Sequence, residues 1–163
     1  VNTFVFMNIK LIAIGKTDHQ AIKELQDLYS KRLGYYVNFT QVMIPDIKNT
    51  KKLSEDQQKV REGELILKEV QPTDKMVLLD EKGREFTSEQ FSDYLQKEMN
   101  SGLKQLVFVI GGPYGFSEDV YKKAMGRIAL SKMTFSHQMI RAFFTEQLYR
   151  AFTILRNEPY HHR

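Results

Sequence analysis

Cysteine is absent from all 163 residues, so the chain has no disulfide framework, no zinc-thiolate site and no thiol nucleophile. A reducing compartment fits that composition, and the cytoplasm is the expected location. Nothing in the chain approaches the ~18 uncharged apolar residues that span a bilayer, so no membrane segment is expected. The apolar opening from Val1 to Gly15 lacks a basic start, is interrupted by Asn8 and Lys10 and offers no small-residue cleavage site; it reads as a buried strand, not a signal peptide. Met7 directly precedes that strand, so residues 1–6 are expected to be an N-terminal extension and 7–163 a single domain. Repeats, low-complexity tracts and linkers are also missing. Charge of one sign is not dominant either, with 24 Lys and Arg against 20 Asp and Glu. The resulting net charge of +4 suits a polyanionic partner without demanding one.

What is present is core material, 42% hydrophobic and 12% aromatic. Ile9 to Gly15 is a short β-branched run ended by glycine, as in a strand covered on both faces. Thr17 and Gln20 have capping-box spacing, and Ile22, Leu25, Leu28, Tyr29 and Leu33 follow at helical intervals up to Gly34. Val37 to Ile44 reads as a second strand stopped by Pro45, after which 45–52 is a polar, basic loop. Ser54 with Gln57 opens a helix to about Val70, and Met76 to Asp80 is a third strand. Thr87 with Gln90 opens a helix up to Gly102. Leu106 to Ile110 is the run most disposed to β structure, and Ser117 with Glu118 and Asp119 starts another helix. A fifth strand is expected near Arg127 to Leu130. Strands alternating with helices predict an α/β fold, a mostly parallel sheet with helices on both faces.

The last helix, about Gln138 to Arg156, carries two apolar stripes. Ile140, Phe144, Leu148, Ala151 and Leu155 form one; Met139, Phe143 and Phe152 form the other. Two readings stand: a helix sunk in its own core, or one that packs on its sheet with one stripe and on a second subunit with the other.

Ligands of open parallel sheets sit beyond the carboxyl ends of the strands. Those ends are Leu79-Asp80, Ile110 to Pro113 and Leu130 to Phe135. The turn at Gly111-Gly112-Pro113 has neither the dinucleotide G-x-G-x-x-G pattern nor the Walker pattern, which removes support for NAD binding and ATP hydrolysis. A Gly pair there is either plain punctuation or a backbone that approaches a flat ligand. His137, His161 and His162 lack partners at metal-ligand spacing, so no metal is expected. As acid/base or RNA-contacting groups, His137 and the tail after Pro159 would face a common cleft. Arg141, Arg150 and Arg163 read as phosphate contacts or as solvated and ion-paired groups, the latter weighing most for Arg150 beside Glu146.

Several of these segments occur together in one family. Phe108 to Phe116, Leu130 to His137, then Arg141, Glu146 to Ala151 and Asn157 to His161 resemble the large-subunit (23S) ribosomal RNA pseudouridine-N3 methyltransferases of the SPOUT superfamily. Met7 to Lys16 is similar to that family's opening strand, so the likeness covers essentially the whole chain from Met7. One departure is His162, which intervenes before Arg163 where the family tail usually passes from Tyr-His straight to a basic residue.

The resemblance implies a homodimer with a deep C-terminal trefoil knot. It implies S-adenosyl-L-methionine as cofactor, held by Leu79, Gly111, Leu130, Ser131, Lys132, Met133, Thr134 and Phe135, and ribosomal RNA within the assembled ribosome as partner. The implied catalytic set is His137, Arg150, Tyr160 and His161, acting on the weakly acidic imide N3 of a pseudouridine, with the tail of one subunit completing the cofactor site of the other. Competing expectations are a SPOUT enzyme acting on tRNA and a non-catalytic ribosome-binding dimer; a flavodoxin-like binder would need a phosphate loop that Gly15, Lys16 and Thr17 do not make.

Overall fold

The structure, a computed structural model, describes residues 7–162. The expected extension at 1–6, like Arg163, lies outside the described residues. In chain order the elements are β1 (Asn8–Ile14), α1 (Gln20–Leu33), β2 (Phe39–Ile44), α2 (Glu55–Lys68), β3 (Lys75–Glu85), α3 (Ser88–Asn100), β4 (Gln105–Ile110), α4 (Glu118–Lys123), β5 (Gly126–Ala129) and α5 (Met139–Leu155), with one 3-10 turn at Thr50–Lys52. The five strands are parallel in the order β2-β1-β4-β3-β5.

Period-two alternation divides the core into two layers. Ile9 and Leu11 of β1 and Leu106, Phe108 and Ile110 of β4 join Leu33 of α1, Phe91 and Leu95 of α3, and Phe144 and Leu148 of α5. Ile12, Ile14, Val107 and Val109 face the other way, onto Ile66 of α2 and Val120 of α4. Because helices cover both faces, the central strands β1 and β4 are apolar almost without interruption. The Phe108 and Phe144 rings meet edge-on at 4.8 Å, which fastens α5 to the middle of the sheet.

Helix starts follow local chemistry. Ser54 and Thr87 each form the complete capping box with Gln57 and Gln90, and the Ser117 hydroxyl accepts from the Val120 N–H. The expected box at Thr17 and Gln20 does not form: α1 begins after His19, which has no side-chain cap. Thr17 is engaged elsewhere, accepting from Arg141. The apolar stripe of α1 also looks outward, with Leu25 and Leu28 48% and 42% exposed, while Gln26 is buried and donates to Gln41.

Strand β3 outruns its apolar stretch. After Leu79 pairs with Ile128 of β5, residues 80–83 loop out, and Arg84 returns to pair with the same Ile128. Gly83 makes this possible: a Cβ there would lie 2.6 Å from the Ile128 backbone nitrogen. An Asx turn, Lys82 N–H donating to Asp80 Oδ1 at 2.9 Å, shapes the resulting lip.

On α5, Phe144, Leu148 and Ala151 of the first stripe are buried. The second stripe splits, since Phe152 is also buried whereas Met139 and Phe143 are 48% and 45% exposed. Arg141 corrects the reading of that residue as a phosphate contact, because its side chain is fully buried. Its guanidinium donates to the carbonyls of Ile14 (2.7 Å), Gly15 (2.8 Å) and His137 (3.0 Å) and to Thr17 Oγ1 (3.2 Å). Burial without a contacting carboxylate lowers its pKa, with Asp18 and Asp46 partly opposing this. The residue is a clamp between the end of β1 and the start of α5.

Candidate active site

A parallel sheet places all its strand ends on one side, and here the ends of β3, β4 and β5 border a cleft of about 620 Å³. Its walls are Leu79 to Lys82 after β3, Ile110 to Phe116 after β4, and the loop after β5 as far as His137 and Ile140. Leu79, Gly111, Leu130, Ser131, Met133, Thr134 and Phe135 stand together on these walls, whereas Lys132 lies between its neighbours in the chain but does not line the cleft. The loop is tied down by Thr134 Oγ1, which donates to Glu81 Oε2 at 2.8 Å, and by Ser131 Oγ, which accepts from the Met133 N–H at 3.0 Å.

The glycine turn is thin because buried groups press on its back. A Cβ on Gly112 would lie 2.5 Å from Glu62 Oε2, and one on Gly111 would lie 3.1 Å from the Phe116 ring. Gly115 closes the turn at φ +83, donating to the Gly112 carbonyl at 3.1 Å. Glu62 itself is 3% exposed; Oε1 accepts from Gln58 at 3.0 Å, and Oε2 has no hydrogen-bond partner among the described residues. Burial raises this carboxyl's pKa, Gln58 lowers it and the charge of Asp46 adds to the rise. Opposite the turn, the Tyr121 hydroxyl donates to Asp80 Oδ2 at 2.8 Å; burial and that bond push the phenol up to about 12, so it stays neutral. Neither Glu62 nor the Asp80–Tyr121 pair carries a signal in the sequence, since each depends on partners far along the chain.

A second cluster forms at the other end of α5. Arg150 Nη2 bonds Glu146 Oε1, its Nη1 lies 3.2 Å from His161 Nδ1, and its guanidinium stacks over the Tyr160 ring at 4.8 Å. The Tyr160 hydroxyl donates to Glu146 Oε1 at 2.9 Å, and His161 Nε2 lies 3.6 Å from Glu89. Burial opposes the Arg150 charge, but Glu146 outweighs it and the pKa rises; burial, Tyr29 and Glu146 together raise that of Tyr160.

Within one chain, therefore, His137 and the tail do not share a cleft. Arg150 stands thirteen positions after His137, nearly all of them on α5, about 20 Å along the axis. Among the described residues, no three His, Asp or Glu side chains converge as a metal site. A smaller cavity of about 260 Å³ adjoins the cleft behind Leu130 and Phe135, lined by Phe86, Phe91, Phe143 and Phe144.

A family model described as a predicted SPOUT methyltransferase matches residues 7–161. Among curated proteins, the chain is 67% identical to the ribosomal RNA large subunit methyltransferase H of Flavobacterium psychrophilum, covering 96% of this chain and 100% of that protein. It is 56% identical to the protein of the same name from Cytophaga hutchinsonii, over 96% and 100% of the two chains. A solved structure of a probable methylase family protein from Haemophilus influenzae Rd KW20 superposes with a TM-score of 0.53 at 12% identity, covering 96% of this chain and 71% of that one, a likeness of fold alone.

Proposed function

The chain belongs to the SPOUT methyltransferase family, and from that premise we propose that it methylates N3 of a pseudouridine in large-subunit ribosomal RNA, using S-adenosyl-L-methionine, on the assembled ribosome. The observation that carries the reading is the cleft at the ends of β3, β4 and β5, where a glycine turn and the loop after β5 face one another. Its size suits a nucleoside-sized cofactor. The apolar walls at Leu79, Ile110 and Leu130 suit a flat ring, and the bare backbone at Gly111 and Gly112 offers close approach. Leu79, Gly111 and the loop 130–135 would hold the cofactor, whose chemistry is an electrophilic methyl group.

The chain's own task is to align the imide nitrogen and accept its proton. His137 is the imidazole on the cleft wall. Arg150, Tyr160 and His161 form a cationic, hydrogen-bonded group suited to stabilising an imide anion, yet they stand about 20 Å away in the same chain. A homodimer in which two chains cross head to tail resolves this by bringing the partner's tail to each cleft. Support for that arrangement comes from apolar side chains left uncovered on α1 and α5, namely Leu25, Leu28, Met139 and Phe143.

The same reading includes a trefoil knot. After β5 at the sheet edge, residues 130–138 cross the cleft side of the sheet. There Gln138 accepts from the Asp18 N–H and donates to the Lys16 carbonyl, and α5 packs beside α1. The turn at Gly111 and the loop 130–137 line the same cleft, and that proximity supports the knotted reading.

The test is purified protein with labelled S-adenosyl-L-methionine, given ribosomes, isolated subunits and tRNA in parallel, followed by nucleoside mass analysis. The expected product is methylated pseudouridine from the ribosome; methylation of tRNA alone overturns the assignment.

A further inference from the structure

The lip of β3 and the corner between α4 and β5 enclose a groove of about 510 Å³ that does not belong to the cofactor cleft but adjoins it, since Lys82 and Tyr121 line both. Its charged residues are Lys82, Arg84 and Arg127; no carboxylate lines it. In a chain where acids are nearly as common as bases, that one-sided lining is a feature of the fold and not of composition.

The two arginines are held ready. Arg84 stacks on Phe86 at 4.6 Å, and Arg127 on Tyr121 at 4.8 Å. Stacking of the guanidinium plane leaves its N–H edges free for bidentate contacts and reduces the rotamer freedom lost on binding. Neither is neutralised by a close pair: Arg84 has no ion pair among the described residues, and Arg127 only the 4.0 Å contact with Asp80, whose Oδ2 already accepts from Tyr121. Because each ring already carries an arginine, neither aromatic offers that face to a base.

We propose that this groove carries the ribose-phosphate backbone of the RNA past the cofactor cleft, engaging phosphates through Arg84 and Arg127 without reading bases. The inference rests on the RNA methyltransferase reading and deepens it by naming the surface where the substrate enters. Charge complementarity favours a polyanion with regularly spaced phosphates, and adjacency to the cleft favours the strand that bears the target.

The test is the Arg84→Ala/Arg127→Ala double variant of the full chain, with Lys82 left in place because it also lines the cleft. Filter binding to ribosomes and to free large-subunit RNA is measured across a salt series without turnover, together with calorimetry for S-adenosyl-L-methionine. Expected are an RNA affinity roughly tenfold or more lower at low salt and a log–log salt slope shallower by about 1.5, with cofactor affinity unchanged. Arg84→Glu, at an exposed position, gives the same direction if the double variant folds poorly. A Lys51→Ala/Lys52→Ala variant is the control for general charge and is expected to change binding little. Unchanged RNA affinity and slope overturn the proposal, as does an equal loss in the control. Weakened binding to ribosomes with normal binding to free RNA also overturns it, in favour of an acidic protein partner. A wild-type chain that methylates nothing, while the double variant still loses RNA, sinks the functional reading and leaves the groove standing.

Discussion

Replacing Arg141 separates its two possible roles. Its four close acceptors, three carbonyls and the Thr17 hydroxyl, lie between 2.7 and 3.2 Å. The Arg141→Lys ammonium retains charge but not the planar fork, so about two of these bonds are lost. Charge-assisted bonds contribute about 1.5–3 kcal/mol each. The buried ammonium, more strongly hydrated than the guanidinium, gains no relief from desolvation, so the net destabilisation is at least about 3 kcal/mol. For a domain of this size each kcal/mol corresponds to ~2–4 °C, so the melting temperature should fall by about 6–12 °C. Arg141→Leu leaves three carbonyls without their donor and should cost at least as much. Thermal unfolding at fixed protein concentration reads the effect, with RNA affinity measured on the folded protein alongside. An Arg141→Lys protein of wild-type stability that binds RNA poorly would refute the clamp and restore the phosphate-contact reading.

Gly83→Ala drives a methyl into the backbone at Ile128, so a loss of about 1–3 kcal/mol is expected by denaturant unfolding, together with weaker cofactor binding as the lip shifts. Glu62→Gln should stabilise the protein at neutral pH. The folded-state pKa of this carboxyl is raised above its ordinary value, so its contribution is fully present below that ordinary value and is lost as pH rises through the folded pKa. The variant's advantage should therefore vanish in unfolding curves near pH 4, and an advantage that persists there would contradict the buried-carboxyl account. Thr87→Ala removes one half of the α3 capping box and is expected to cost ~1 kcal/mol by the same unfolding measurement.

Most residues whose partners are close in sequence behaved as their chemistry suggests, Thr17 excepted because Arg141 engages it. Ser54, Thr87 and Ser117 cap helices through groups three residues away, and the strand-end rule pointed to the segments that line the cleft. Long-range partners were illegible. Arg141 bonds Ile14 and Gly15 across more than a hundred residues, and an arginine on a helix defaults to the surface. The expected third strand stops at Asp80 because Glu81 to Glu85 is polar; the pairing of the lip beyond it is set by Gly83 fitting onto Ile128. The outward turn of the α1 stripe follows from Gln26, whose partner Gln41 lies on β2. That His137 and the tail of the same chain stand apart follows from the length of α5, which a common-cleft expectation does not take into account.

The strand order has a further consequence during synthesis. Strand β4 lies between β1 and β3, so nothing joins the first half of the sheet to the second until residues 105–110 exist. From there to the end of α5 the ribosome needs about 2–9 s at 5–20 residues per second. Through that interval the sheet face bearing Ile9, Leu11 and Phe108 waits for Phe144 and Leu148 to cover it. A nascent chain stalled or truncated before α5 would leave the part of that face between α1 and α3 open to its neighbours, making the final helix a segment on which escape from aggregation depends.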